Sequence, residues 1–248
     1  MADAAPGWAA AHPATAHVFL GALTDTARVT GDDGHHLARV RRVRAGEELT
    51  AADGSGTWRP YVVARVEGAA LELAACGEPC VEPELTPRLE VAFALTKGAK
   101  PETVVQQLTE LGVDRIRPVR ARRSVVRWDA ARAEAALARL RRVAREAAMQ
   151  CRRARLPAVD PPAELATLAG VDGLVIGDPA AVGAPPPEPP AGGVWVAVVG
   201  PEGGFEPGET ACLGPAARLA VGPHVLRAET AAVSVAAALA VRRRIGHP

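Results

Sequence analysis

No run of about 18 apolar residues occurs in this 248-residue chain, so no segment of it suits a membrane-crossing helix. No export signal is expected either: MADAAPGWAAAHPATA has neither a basic n-region nor a continuous apolar h-region, and residues 1–16 read as a loose, disordered tail. The four cysteines (Cys76, Cys80, Cys151, Cys212) are therefore expected as reduced thiols. Cys76 and Cys80 have the spacing of half a metal site, but no second Cys/His pair at zinc spacing follows. His35 and His36 are adjacent and point in different directions, which suits loop residues better than ligands. Neither G-x-G-x-x-G nor G-x-x-x-x-G-K-[ST] is present, which argues against a Rossmann dinucleotide site and a P-loop. The expectation is a soluble, cytoplasmic protein that holds no metal and touches no membrane.

Lysine is scarce too, since only Lys97 and Lys100 stand beside the arginines. Compositional bias explains that choice but not the clustering. From Arg115 to Arg155 there are 14 arginines against Asp129, Glu134 and Glu146, a local excess of about +11 in a chain of net charge +1. Such a run is the footprint of a phosphate-rich partner such as RNA; a solvated helical face is the plainer reading.

The length allows two modest domains. Residues 17 to about 82 hold short runs (HVFL, EELTAA, TWRPYVVARV, ALELAA) separated by the turn signals GDDG, DGSG and EGA, which predict a small β-barrel. EPCVEPELTP, with Pro79, Pro83 and Pro87, reads as a linker, and the boundary falls near residue 85. Beyond it strands and helices alternate. LEVAFAL precedes a helix from Pro101 to Leu111 that stops at Gly112. RIRPV and a long helix capped by Asp129 follow, then GLVIGD, a Pro-rich loop, VWVAVV, a short helix, ARLAVG and a last helix from about Glu229 to Arg244. Alternation of this kind predicts a largely parallel α/β sheet covered on both faces.

Ligands of such sheets bind beyond the carboxyl ends of the strands. Three strand ends carry exposed-backbone loops: Gly177-Asp178-Pro179, GPEGG at 200–204, and Gly222-Pro223-His224. Together they could form one cofactor cradle; three ordinary turns are the alternative.

At these residues the sequence resembles the SPOUT-class 16S ribosomal RNA (uracil-N3)-methyltransferases. The likeness rests on HHLARVRRVRAGEEL, TKGAKPETVVQQLTELGVDRIRP, REAAMQCRRARLP, GPEGGFEPGE and VGPHVLRAETAAVSVAAAL, and covers nearly the whole chain after the tail. It implies a PUA-like β-barrel RNA-binding domain over 17–85 and a SPOUT methyltransferase domain with a trefoil knot over 86–248. It further implies S-adenosylmethionine as cofactor, a homodimer, and 16S ribosomal RNA or the assembled small ribosomal subunit as partner. The chain departs from the family's usual V-L-R, E-Q and R-T-E-T at Val40-Arg41-Arg42, Met149-Gln150 and Arg227-Ala228-Glu229-Thr230.

The resemblance points to backbone contacts with the cofactor at Ile176 and Gly177, at Gly200, Pro201, Glu202 and Gly203, and at Val221, Gly222, Val225 and Leu226, with Thr230 nearby. RNA contacts would come from Arg39, Arg42, Lys97, Arg122, Arg123, Arg152 and Arg153. Methylating a uracil nitrogen requires a group to take its proton and another to stabilise the charge left behind. Glu229 is the candidate base and Arg227 the candidate stabiliser, both at the start of the last helix. Two other readings stand beside this one: Glu229 caps the helix and pairs with Arg227, or Glu202 is the acid. Other functions that fit the same features are a SPOUT methyltransferase acting on transfer RNA and a non-catalytic RNA-binding or ribosome-assembly protein.

Overall fold

The structure, a computed structural model, describes residues 7–95, 101–124 and 130–245. Contacts divide the chain into two units: Met1–Glu84 with Arg145–Leu156, and Leu85–Ala144 with Pro157–Pro248. The end of the long helix thus belongs to the first unit, which the sequence reading did not foresee.

In the first unit β1 (Ala16–Phe19), β2 (Thr26–Val29), β3 (Glu48–Ala52), β4 (Thr57–Glu67), β5 (Ala70–Ala75) and β6 (Cys80–Val81) form one sheet, in the order β1-β3-β4-β5-β2 with β6 on β4. Among the described residues β1 and β2, the ends of that path, do not pair, so the barrel is open. A register shift between Val63 and Arg65 bends β4, and Leu49, Tyr61, Val63, Leu71 and Leu73 point into the core with Val18 and Leu37. The GDDG stretch makes more than a turn. Gly31, at φ 65°, breaks from β2, and the chain winds into α1 (Gly31–His35) and a π-helical turn over His36–Val40 that buries Leu37. Nor is the tail loose throughout: Ala9–Ala11 form a 3-10 turn, Ala9 and Ala14 are buried, and Trp58 Nε1 donates to the Gly7 carbonyl at 2.7 Å. Glu82, in the expected linker, is buried and accepts from the Arg155 N–H at 3.2 Å.

The second unit holds β7 (Leu85–Thr86), β8 (Arg88–Ala94), α2 (Pro101–Glu110), β9 (Arg115–Arg120), the start of α3 (Ala130–Cys151), β10 (Ala158–Val159), β11 (Ala163–Glu164), β12 (Leu174–Gly177), β13 (Val194–Val199), α4 (Pro207–Leu213), β14 (Ala217–Leu219), α5 (Ala228–Ala240) and β15 (Arg244–Ile245). Its main sheet is parallel, in the order β10-β9-β8-β13-β12-β14 with β11 also on β9; β7 and β15 form a separate antiparallel pair. Strand β13 shows why VWVAVV is continuously apolar: Trp195, Ala197 and Val199 face one core with α2 and α5, while Val196 and Val198 face another that includes Leu165, Leu168 and Leu213.

Gly112 stops α2 at φ 78°, with the Val113 N–H returning to the Leu108 carbonyl at 3.0 Å. The expected cap of α3, Asp129, lies outside the described residues. Helix α5 ends at Ala240, short of the expected Arg244, because Arg243 turns inward. Its guanidinium donates to the carbonyls of Pro87 (2.8 Å), Gly112 (2.8 Å) and Leu85 (3.2 Å), and to Asp114 Oδ2 at 2.6 Å.

Candidate active site

Strands β13, β12 and β14 are parallel neighbours, so their carboxyl ends lie on one edge and the loops that follow meet there. These loops enclose a cavity of about 300 Å³, within the range of small-ligand sites. Of the expected cofactor positions, Ile176, Gly177, Gly200, Pro201, Glu202, Val221, Gly222, Val225 and Leu226 line it. Gly203 and Thr230 do not. The Gly203 carbonyl accepts a hydrogen bond from Arg123 Nη1 instead, and Thr230 is exposed on α5.

Two glycines matter for their lack of a side chain. A Cβ on Gly177 would lie 3.2 Å from Val235 Cγ2 and 3.3 Å from Val199 Cγ2, and one on Gly200 would lie 3.2 Å from the Phe205 ring. Phe205 and Val235 both line the cavity, so added carbon at either glycine displaces its wall. The walls are apolar, from Ile176, Val199, Leu219 and Leu226. Among the described residues the N–H groups of Val221, Gly222, Val225 and Leu226 donate no hydrogen bond within the protein. Apolar walls with unused main-chain donors beside them fit a flat heteroaromatic ring with acceptors along its edge, such as adenine.

Asp178 lines the cavity as part of the expected Gly177-Asp178-Pro179 loop, and Arg218, which the sequence did not single out, lines it too. Asp178 accepts from the Ala180 N–H at 2.9 Å and pairs with Arg218. The Ala180 hydrogen bond, opposed by partial burial and aided by Arg218, holds its carboxyl below the usual range. The acid directly after GLVIG was the available signal for Asp178; nothing in ARLAVG marked Arg218, which is read only once β14 is seen beside β12.

Arg227 occupies the N-cap of α5 and is exposed, while Glu229, in the first turn, is half-buried. Neither lines the cavity, although Ala228 between them does. Among the described residues they do not pair with each other, and no side-chain bond caps the helix. The purely structural reading of this acid and arginine therefore has no contact to rest on.

The expected RNA-contacting residues are dispersed. Arg39 and Arg42 are exposed in the first unit, with Arg42 at φ 55°. Arg152 donates to the His12 carbonyl at 2.9 Å, and Arg153 is half-buried beside it in sequence. Arg122 and Arg123 follow β9. Lys97 lies outside the described residues. Much of the arginine excess is matched by acids elsewhere in the chain: Arg115 with Asp160, Arg117 with Glu90, Arg120 with Glu164 and Arg139 with Glu102. Arg145 belongs to the first unit, bonded to both Asp33 oxygens at 3.0 and 2.6 Å. No group of acids, histidines and cysteines able to hold a metal occurs among the described residues.

Comparison with known proteins gives the site its context. The model of an RNA methyltransferase domain matches residues 83–240, and that of an RNA methyltransferase PUA domain matches residues 29–73. Ribosomal RNA small subunit methyltransferase E of Mycobacterium bovis is 37% identical over 237 residues, 90% of each chain. The Bacillus subtilis protein of that name is 27% identical over 234 residues, 89% of this chain and 91% of that one. The crystal structure of ribosomal RNA small subunit methyltransferase E from Neisseria gonorrhoeae bound to S-adenosyl methionine aligns with a TM-score of 0.76 at 27% identity, covering 90% of this chain and 96% of the other. A PUA domain followed by an RNA methyltransferase domain, on a mixed α/β chain of this length, makes the protein a member of the ribosomal RNA small subunit methyltransferase E family.

Proposed function

We propose that the protein is an S-adenosylmethionine-dependent methyltransferase that modifies N3 of a uridine in 16S ribosomal RNA of the small subunit. The observation that carries this reading is one cavity formed by three strand-end loops, with main-chain donors along one wall and an acid and an arginine on the adjoining helix turn whose side chains have no partner among the described residues. The relatives' names supply the substrate class.

When bound, S-adenosylmethionine supplies an electrophilic methyl group on a sulfonium. The residues of the chain do the rest. The N–H groups of Val221, Gly222, Val225 and Leu226 would hold the cofactor's adenine, and Ile176, Val199 and Leu219 would exclude water from it. A uracil N3–H is about as weak an acid as a tyrosine phenol, pKa roughly 10, so ionising it near neutrality costs about 4 kcal/mol. Glu229 takes that proton, and the Arg227 guanidinium offsets the charge that spreads to O2 and O4. The exposed Arg39 and Arg42 hold phosphates while the target base leaves its stack, at a cost of a few kcal/mol.

We extend the reading to the assembly. A homodimer belongs to this reading and would cover Val241, which is 79% exposed just past α5. A trefoil knot accords with β13 lying between β8 and β12, while α4 and α5 pack on opposite faces of the sheet. A cytoplasmic location follows from the substrate. Nucleotide mapping by mass spectrometry tests the function. Deletion of the gene should remove one 3-methyluridine from small-subunit RNA, and the intact gene should restore it. Unchanged small-subunit RNA, or a methyl group lost from transfer RNA instead, overturns the proposal.

A further inference from the structure

The segment after β9 makes four contacts with the cofactor loop and the start of α4, one of them to the loop itself. The Arg122 N–H donates to Glu209 Oε1 at 2.7 Å, and the other oxygen of Glu209 accepts from the Glu206 N–H at 2.9 Å, the capping box that opens α4. Arg122 Nη1 stands 3.5 Å from Glu206 Oε2 with its side chain 76% exposed. Arg123 is more engaged. Its Nη1 donates to the Gly203 carbonyl and its Nε lies 4.0 Å from Glu206 Oε1. Gly203 approaches it so closely that a Cβ there would lie 3.3 Å from Arg123 Cδ. The Gly203 carbonyl belongs to the loop whose Gly200, Pro201, Glu202 and Gly204 line the cavity.

We infer that Arg123 is a positioning residue of the cofactor cradle: by holding the Gly203 carbonyl it fixes the 200–204 loop in the form that receives S-adenosylmethionine. This rests on the proposed function above. A loop with a glycine at Gly203 and another at Gly204 (φ 69°) has many backbone states, and one charge-assisted bond to a carbonyl removes most of them before the ligand arrives. The cradle is thereby preorganised by a residue that never enters it. Arg122 is the internal control. Its bond to Glu209 comes from its main chain and survives truncation of the side chain, and among the described residues no bond joins that side chain to the 200–204 loop.

Calorimetry of S-adenosylmethionine binding to the RNA-free protein provides the test. Arg123→Ala and Arg123→Met should raise the cofactor Kd about tenfold, the loss expected for one charge-assisted hydrogen bond. Arg123→Lys, which keeps a cationic donor, should restore it to within about threefold, and Arg122→Ala should leave it unchanged. Thermal melts of the ligand-free variants separate this from lost stability, because Arg123→Met keeps the apolar stem. An arginine that only contacts RNA would not alter cofactor affinity in the absence of RNA. Equal affinity of wild type and Arg123→Met, or an equal loss in Arg122→Ala, overturns the inference and leaves the methyltransferase reading intact. No binding by wild type removes that reading and the inference with it.

Discussion

Arg243 is 7% exposed, and its guanidinium is matched to three carbonyls and to Asp114. Burial pulls its pKa down, and Asp114 opposes that shift only in part. Arg243→Ala removes the charged partner of the half-buried Asp114, which keeps the Leu89 N–H, and a donor to three carbonyls; a loss of about 3–5 kcal/mol is expected in urea unfolding. Glu229 and Arg227 call for the opposite pattern. Neither side chain is bonded within the fold among the described residues, so Glu229→Gln and Arg227→Ala should melt close to wild type and keep cofactor affinity. Their kcat should fall by about 10²-fold or more, measured as methyl transfer to small subunits. Full turnover in Glu229→Gln would remove it from the role of base.

Helix α5 breaks a local rule where function would need it broken. Its N-cap is Arg227, with no side-chain cap, although serine, threonine, aspartate and asparagine are the residues that satisfy the first N–H groups. Arg227→Ser should therefore stabilise the fold by up to about 1 kcal/mol while methyl transfer is lost. Thermal melts and turnover on one preparation check both. The long elements were legible in sequence because their patterns are strong. VWVAVV could only be a strand buried on both faces, and Pro101, Val104, Val105, Leu108 and Gly112 outline α2 from cap to stop. Strands β10 and β11 have two residues each, too few for any periodicity, and α1 was hidden behind turn-forming Gly and Asp. In the candidate site, glycine loops after apolar runs marked the cavity in advance. The turning of Gly203 toward Arg123 was not legible, since it depends on a partner 80 residues away.

At the scale of the molecule, the net charge of +1 and the arginine excess describe different things. Because Arg115, Arg117, Arg120 and Arg139 have acidic partners, RNA binding should release few counterions. The slope of log K against log salt should be about −4 rather than near −10, as filter binding between 50 and 200 mM salt would report. Acid should loosen the first unit. His17 is 3% exposed, its Nδ1 lies 2.7 Å from Thr50 Oγ1, and burial pushes its pKa from an ordinary 6.5 down to about 4. Between those values the unfolded chain takes a proton that the folded one refuses, so stability falls with falling pH across that window. The loss approaches about 3 kcal/mol near pH 4 and is absent above pH 7. His17→Gln should flatten the profile in urea melts taken from pH 7 to pH 4.

Residues 145–156 return from the far side of the sequence to complete the first unit. A cut at residue 85 would leave Asp33 without Arg145, Glu82 without the Arg155 N–H, and the cluster of Ala9, Ala52 and Trp58 without Ala154. The excised amino-terminal piece should then show poor chemical-shift dispersion by NMR. Recombination that trades such heads between relatives must carry a stretch of the catalytic half along with them, so inheritance of the two parts is tied together.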